Sequence, residues 1–76
     1  MNDLLLVAFG EALRAKRKER GLSQEELAAR ASLDRSYVGG VERGERNISL
    51  INLNKLARAL DLTLAELLAD LRRTSR

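Results

Sequence analysis

Arg35, Ser36 and Tyr37 place a guanidinium, a hydroxyl and a phenol on three consecutive residues, and Arg43, Arg46 and Asn47 add two guanidinium groups and an amide shortly afterwards. A guanidinium presents a planar fork of N–H donors. It fits two acceptors side by side, whether the oxygens of an anion or the N7 and O6 of a guanine edge. Hydroxyl and amide groups add hydrogen bonding in both directions. This is recognition chemistry, and catalysis has little to work with. The 76 residues include no histidine and no cysteine. There is no glycine-rich phosphate loop and no carboxylate pair spaced for a cleft, so an enzyme is not expected. The same inventory removes disulfides and the common zinc sites, so neither a metal nor a cofactor is expected.

Such groups need a rigid support, and the sequence marks one through its helix starts. An N-cap residue with an apolar residue before it and another four positions after it is a hydrophobic staple. Ser23 stands between Leu22 and Leu27, Asp34 between Leu33 and Val38, Ser49 between Ile48 and Leu53, and Thr63 between Leu62 and Leu67. Ser23 with Glu26 and Thr63 with Glu66 also have the spacing of a capping box. The first helix shows in its periodicity. Leu6, Phe9 and Leu13 share a stripe, Glu11, Arg14, Lys18 and Glu19 lie largely off it, and Gly21 ends the run. The predicted helices span 3–20, 24–31, 35–43, 50–60 and 64–72, and no period-two segment argues for a strand. The fold class is therefore all-α, a compact five-helix bundle, with Thr74–Arg76 expected to fray.

The second and third helices are separated by only three residues and must cross steeply, as in a helix-turn-helix. Leu27, Ala28, Ala31, Leu33, Val38 and Val41 occupy the inward positions such a unit needs, and a side chain larger than Ala28 would push the two helices apart. An ordinary helical hairpin shares this pattern. On the third helix Val38 and Val41 point inward, which leaves Arg35, Ser36, Gly39, Gly40 and Arg43 on the exposed side. Its first turn would enter a DNA major groove, with Arg35 on a guanine and Ser36 on a base or a phosphate. The competing reading of Arg35 is a solvated surface arginine. Tyr37, Arg43, Arg46 and Asn47 would meet the DNA backbone, or else form a solvated polar loop. Gly39 and Gly40 each cost a helix about 1 kcal/mol relative to alanine, and close approach of DNA would compensate. The basic run Arg14–Arg20 reads as a solvated face.

A formal charge of +3 and a sequence pI near 10.0 suit a polyanionic partner. The apolar start, Leu4–Phe9, is too short to span a bilayer and follows Asp3 rather than basic residues. No membrane association is expected, and the absence of cysteine suits the cytoplasm. A chain this short, without a disulfide or metal to staple it, gains from a partner subunit. Its last two helices hold more leucine than one small core can use. Ile51, Leu64, Leu68 and Leu71 are the candidates for a two-fold interface, with a purely intramolecular core as the alternative. A two-fold dimer would set two recognition helices roughly 34 Å apart.

The stretches FGEALRAKRKERGLSQEELA from Phe9 and LDRSYVGGVERGERNISLINLNKLARAL from Leu33 resemble the lambdoid-phage repressor and Cro-like helix-turn-helix proteins. Within that family the chain is most similar to the controller proteins of restriction-modification systems. GLSQEELA carries the broad likeness, and DRSYVGGVERGERNISL the narrower one. The resemblance implies a repressor-like five-helix bundle over residues 1–76, with the helix-turn-helix at about 24–43 and a dimerisation part at about 48–72. It also implies a homodimer on a pseudo-palindromic operator near its own promoter, with Gln24 on a phosphate at the partly positive start of the second helix. Arg17 and Glu42 match positions at which phage repressors pair the first helix with the third. Gly39 departs from the family, which commonly has serine or another side chain there, and Ser32 departs from a usual glycine. An immunity repressor of phage type and an antitoxin share the fold, and neighbouring genes would separate the three. No effector domain fits the length, so no small-molecule effector is expected.

Overall fold

The computed structural model describes residues 3–69 and 71, which form α1 (Leu4–Glu19), α2 (Gln24–Ala31), α3 (Arg35–Glu42), α4 (Leu50–Ala59) and α5 (Leu64–Leu68). The starts follow the capping chemistry of the sequence. Ser23 Oγ accepts the Glu26 N–H at 3.0 Å while Glu26 Oε1 accepts the Ser23 N–H at 2.8 Å. Thr63 and Glu66 repeat the box at 3.0 and 2.8 Å. The Ser23 backbone N–H, and after it the Ser23 hydroxyl, hold the Glu26 carboxyl below the ordinary glutamate value. Ser49 caps α4 through the Asn52 N–H, and Asp3 caps α1 through the Leu5 N–H. Asp34 has the extended backbone of a cap, but its carboxylate takes no capping hydrogen bond.

Four helices end in one way. Gly21, Ser32, Gly44 and Asp61 are left-handed, with φ of 68, 58, 76 and 58°. The N–H of the residue after each reaches a carbonyl five residues back: Leu22 to Arg17, Leu33 to Ala28, Glu45 to Gly40 and Leu62 to Ala57, all between 2.8 and 3.2 Å. This is the Schellman arrangement, which satisfies carbonyls the helix leaves open. Leu22 is buried, and Leu33 and Leu62 pack against the core, supplying its usual apolar contact. Ser32 thus keeps the left-handed turn that glycine would take more easily, at a cost of about 1–2 kcal/mol. The predicted spans of α1, α3 and α4 run about a residue too long. Residues 70 and 72, which the prediction placed in the fifth helix, and the tail Thr74–Arg76 lie outside the described residues.

α1 lies against α3 and α5, α2 against α3 and α4, and α4 against α5. Leu13, Leu27, Val38, Val41, Leu56, Leu60 and Leu67 are fully buried at the centre. Of the expected inward set, Leu27, Ala28, Ala31, Val38 and Val41 are buried and Leu33 is half-buried. One contact escapes the periodicity. A Cβ on Gly10 would stand 2.4 Å from the Glu42 carbonyl oxygen and 2.5 Å from that of Val41, so α1 and the end of α3 meet backbone to backbone. A Cβ on Gly44 would likewise stand 2.8 Å from the Val7 Cα. The far end of α3 is seated on α1 at glycines, and its first turn projects away. Among the described residues there is no strand, and no helix is long and apolar enough to cross a membrane.

Candidate nucleic-acid interface

α3 is held from behind by a buried ion pair. Arg17 donates from Nε to Glu42 Oε2 at 2.6 Å, from Nη2 to Glu42 Oε1 at 3.0 Å, and from Nη1 to the Leu22 carbonyl at 2.8 Å. Gln24 Nε2 donates to the same Glu42 Oε1 at 3.0 Å. The two charged side chains are only 10% and 3% exposed. Dehydrating such a pair is costly, and this geometry offsets the cost by matching fork to carboxylate. Its hydrogen bond to the Glu42 carboxylate raises the Arg17 pKa above its already high ordinary value against the opposing effect of burial. The cluster ties α1, the start of α2 and the end of α3 together, as the resemblance implied. Among Arg14, Lys16, Arg17, Lys18 and Arg20, only Arg17 turns fully inward.

Arg35 and Ser36 stand exposed on the first turn of α3, and neither side chain makes a hydrogen bond or ion pair with another described residue. Gln24, expected on a phosphate, is half-buried and donates its amide N–H to Glu42. Tyr37 is half-buried against the core, and its hydroxyl accepts from Asn52 Nδ2 at 3.1 Å. The Arg46 guanidinium lies over the Tyr37 ring, 5.7 Å from its centroid. Arg43 is exposed and donates from Nε to Glu45 at 3.1 Å, and Asn47 is exposed. Asn52 joins this set through a contact that no local spacing signals.

The two glycines of α3 require a correction. On the exposed side by periodicity, both are buried in the fold. A Cβ on Gly39 would meet Arg43 Nη1 at 3.2 Å and Gln24 Oε1 at 3.4 Å, and one on Gly40 would meet Arg46 Cγ at 2.8 Å. Side chains of this same chain cover both glycines, because Arg43 and Arg46 fold back along the helix and Gln24 reaches across from α2.

Two apolar depressions border the last two helices. Leu50 and Ile51, 68% and 71% exposed, share a shallow cleft with Leu64, Asn54 and Lys55. Leu68 and Leu71 line a separate groove of about 250 Å³ with Leu5, Leu6, Phe9, Ile48 and Leu53, and Asn47 at its edge. Of the four interface candidates, Ile51 and Leu64 line the cleft and Leu68 and Leu71 the groove, with Leu64 and Leu68 one helical turn apart on α5.

Residues 13–67 match the protein family described as helix-turn-helix. The chain is 47% identical over 72 residues to the control protein C.MunI of a Mycoplasma species, covering 93% of this chain and 96% of that protein. Its fold superposes with a TM-score of 0.80 on the restriction-modification controller protein C.AhdI from Aeromonas hydrophila, at 63% identity, covering 82% of this chain and 94% of the other. It also superposes on the clp gene regulator ClgR from Corynebacterium glutamicum with a TM-score of 0.88, at 30% identity over 97% of this chain and 79% of that one.

Proposed function

The chain belongs to the helix-turn-helix family, and on that premise we propose that it is a sequence-specific DNA-binding transcriptional regulator, the controller protein of a restriction-modification system, and not an enzyme. The observation that carries this reading is the asymmetry of α3. Val38 and Val41 are sealed in the core and Glu42 is locked to Arg17, while the Arg35 and Ser36 side chains stand exposed on the leading turn with no partner among the described residues. A short helix anchored along one side and open at its first turn suits the major groove, with Arg35 forked onto guanine N7 and O6 and Ser36 beside it on a base or phosphate.

Arg43, Arg46 and Asn47 extend the contact to the DNA backbone, and Tyr37 supports them at the edge of the groove. Gln24 serves the backbone by releasing its amide from Glu42 or through its free carbonyl oxygen. The protein acts as a homodimer on a pseudo-palindromic operator near its own promoter, in the cytoplasm. Dimer assembly and operator occupancy respond to its concentration without a small-molecule effector. The exposed Leu50 and Ile51 with Leu64 are the natural seam for the two-fold, in the dimerisation part at about 48–72 of a single domain.

The test is binding to a duplex of the DNA immediately upstream of its own coding sequence, titrated across salt, with Arg35→Ala alongside. Arg35→Ala is expected to cost about 1–3 kcal/mol on that duplex and much less on random DNA. Equal losses on both would demote Arg35 to a backbone contact, and binding indifferent to salt and sequence would overturn the reading.

A further inference from the structure

A glycine in the middle of a recognition helix weakens that helix relative to alanine, and the coordinates show what occupies the space it leaves. A Cβ on Gly40 would stand 2.8 Å from Arg46 Cγ, 3.4 Å from its Nε and 3.6 Å from its Cδ. The tightest of these contacts falls on the root of the Arg46 side chain rather than on its tip. The side chain could not yield by rotating its end and would have to leave. At Gly39 the nearest atoms are looser and lie at side-chain ends, the terminal Nη1 of the exposed Arg43 at 3.2 Å and the Gln24 amide oxygen at 3.4 Å. From Gly40 the Arg46 side chain continues to Tyr37, one turn back toward the start of α3, and its guanidinium lies over that ring. Tyr37 is itself fixed by the hydrogen bond from Asn52 and by packing on the core.

We propose that Gly40 is a positioning residue for DNA binding: its missing side chain forms a slot that lays Arg46 back along the recognition helix onto Tyr37, holding the guanidinium beside the first turns of α3 before DNA arrives. The inference rests on the DNA-binding reading above and deepens it. A flexible arginine in the loop after α3 would lose its rotamer freedom on meeting a phosphate. One already lying in a slot has lost much of that freedom in advance. The glycine thus acts through Arg46, and its own backbone need not touch the duplex.

Four proteins decide the matter: the wild type, Gly40→Ala, Arg46→Ala and the double variant, in which the truncated arginine leaves room for the new methyl. The first readout needs no DNA. Tyr37 is the sole tyrosine and there is no tryptophan, so intrinsic fluorescence reports that ring alone. Acrylamide quenching should rise in Gly40→Ala to the level of Arg46→Ala, and the Arg46 Nε–H resonance should lose its ring-current shift. The second readout is affinity for the upstream duplex. Arg46→Ala and Gly40→Ala should each weaken binding about tenfold and lower the salt slope by about 1. Adding Gly40→Ala to Arg46→Ala should change affinity less than about twofold, since the two act through one group. The thermal midpoint of Gly40→Ala should not fall. Unmoved Tyr37 quenching, or an equal loss of affinity from Gly40→Ala with and without Arg46, would overturn the proposal. The second of these results would mean that the new methyl itself meets DNA. A wild type that binds no duplex would refute the DNA-binding reading instead, and the fluorescence comparison would still decide whether Gly40 sets Arg46.

Discussion

Gly10→Ala separates helix propensity from tertiary geometry, because the two give opposite signs. Gly10 lies inside α1, where alanine is the better helix former by about 0.5–1 kcal/mol, so local propensity predicts a more stable protein. In the fold, the added Cβ would stand 2.4 Å from the Glu42 carbonyl oxygen, whereas a carbon and an oxygen in close contact sit about 3.3 Å apart. The deficit is about 0.9 Å. The atoms in the way are backbone oxygens of α3 and cannot swing aside, so α1 must retreat by about that distance. Phe9 and Leu13, buried on the same helix, would then lose contact with the core. A gap of that size forfeits about a quarter to a half of each dispersion contact.

Overpacking of this kind costs more than the propensity gain, and the net loss is about 2 kcal/mol. Domains of this size are stable by only about 4–11 kcal/mol, so the effect is large. Guanidinium unfolding followed by far-UV circular dichroism measures it, with protein concentration held fixed because dimerisation would contribute to the apparent stability. The midpoint should drop with the slope unchanged, and the thermal midpoint should fall by roughly 10 °C. A variant as stable as the wild type would refute the backbone approach of α1 to α3, and with it the account of how the recognition helix is seated.

Three further outcomes are expected. Arg17→Met should cost about 3–5 kcal/mol by stranding the buried Glu42 carboxylate, while Arg17→Met with Glu42→Leu should recover most of that loss, as denaturant melts of both would show. Ser32→Gly should stabilise by about 0.5–1 kcal/mol by relieving a left-handed serine, and a lower melting point would show that the Ser32 side chain contributes more than its backbone strain costs. Ile51→Glu should weaken a two-fold dimer at least about 100-fold, since the change enters the interface twice. Unchanged sedimentation would move the seam to the groove of Leu68 and Leu71.

The helices and the stretch that would present Arg35 are legible from neighbouring residues alone. Caps such as Ser23 with Glu26 and Thr63 with Glu66 are chemistry between residues three apart, and the 3.6-residue period that buries Leu27, Val38 and Val41 is equally local. The Arg17–Glu42 pair became legible only through likeness to other chains, since nothing between positions 25 apart announces a contact. Tertiary structure alone decided the rest. It turned Gln24 onto Glu42, brought Asn52 to Tyr37, buried Gly10 against α3, roofed Gly40 with Arg46, and set Ile51 in the cleft and Leu68 in the groove. Each of these depends on how far apart two helix axes run and where a loop folds back. That is fixed by the sum of all packing contacts, and no short window of sequence encodes it.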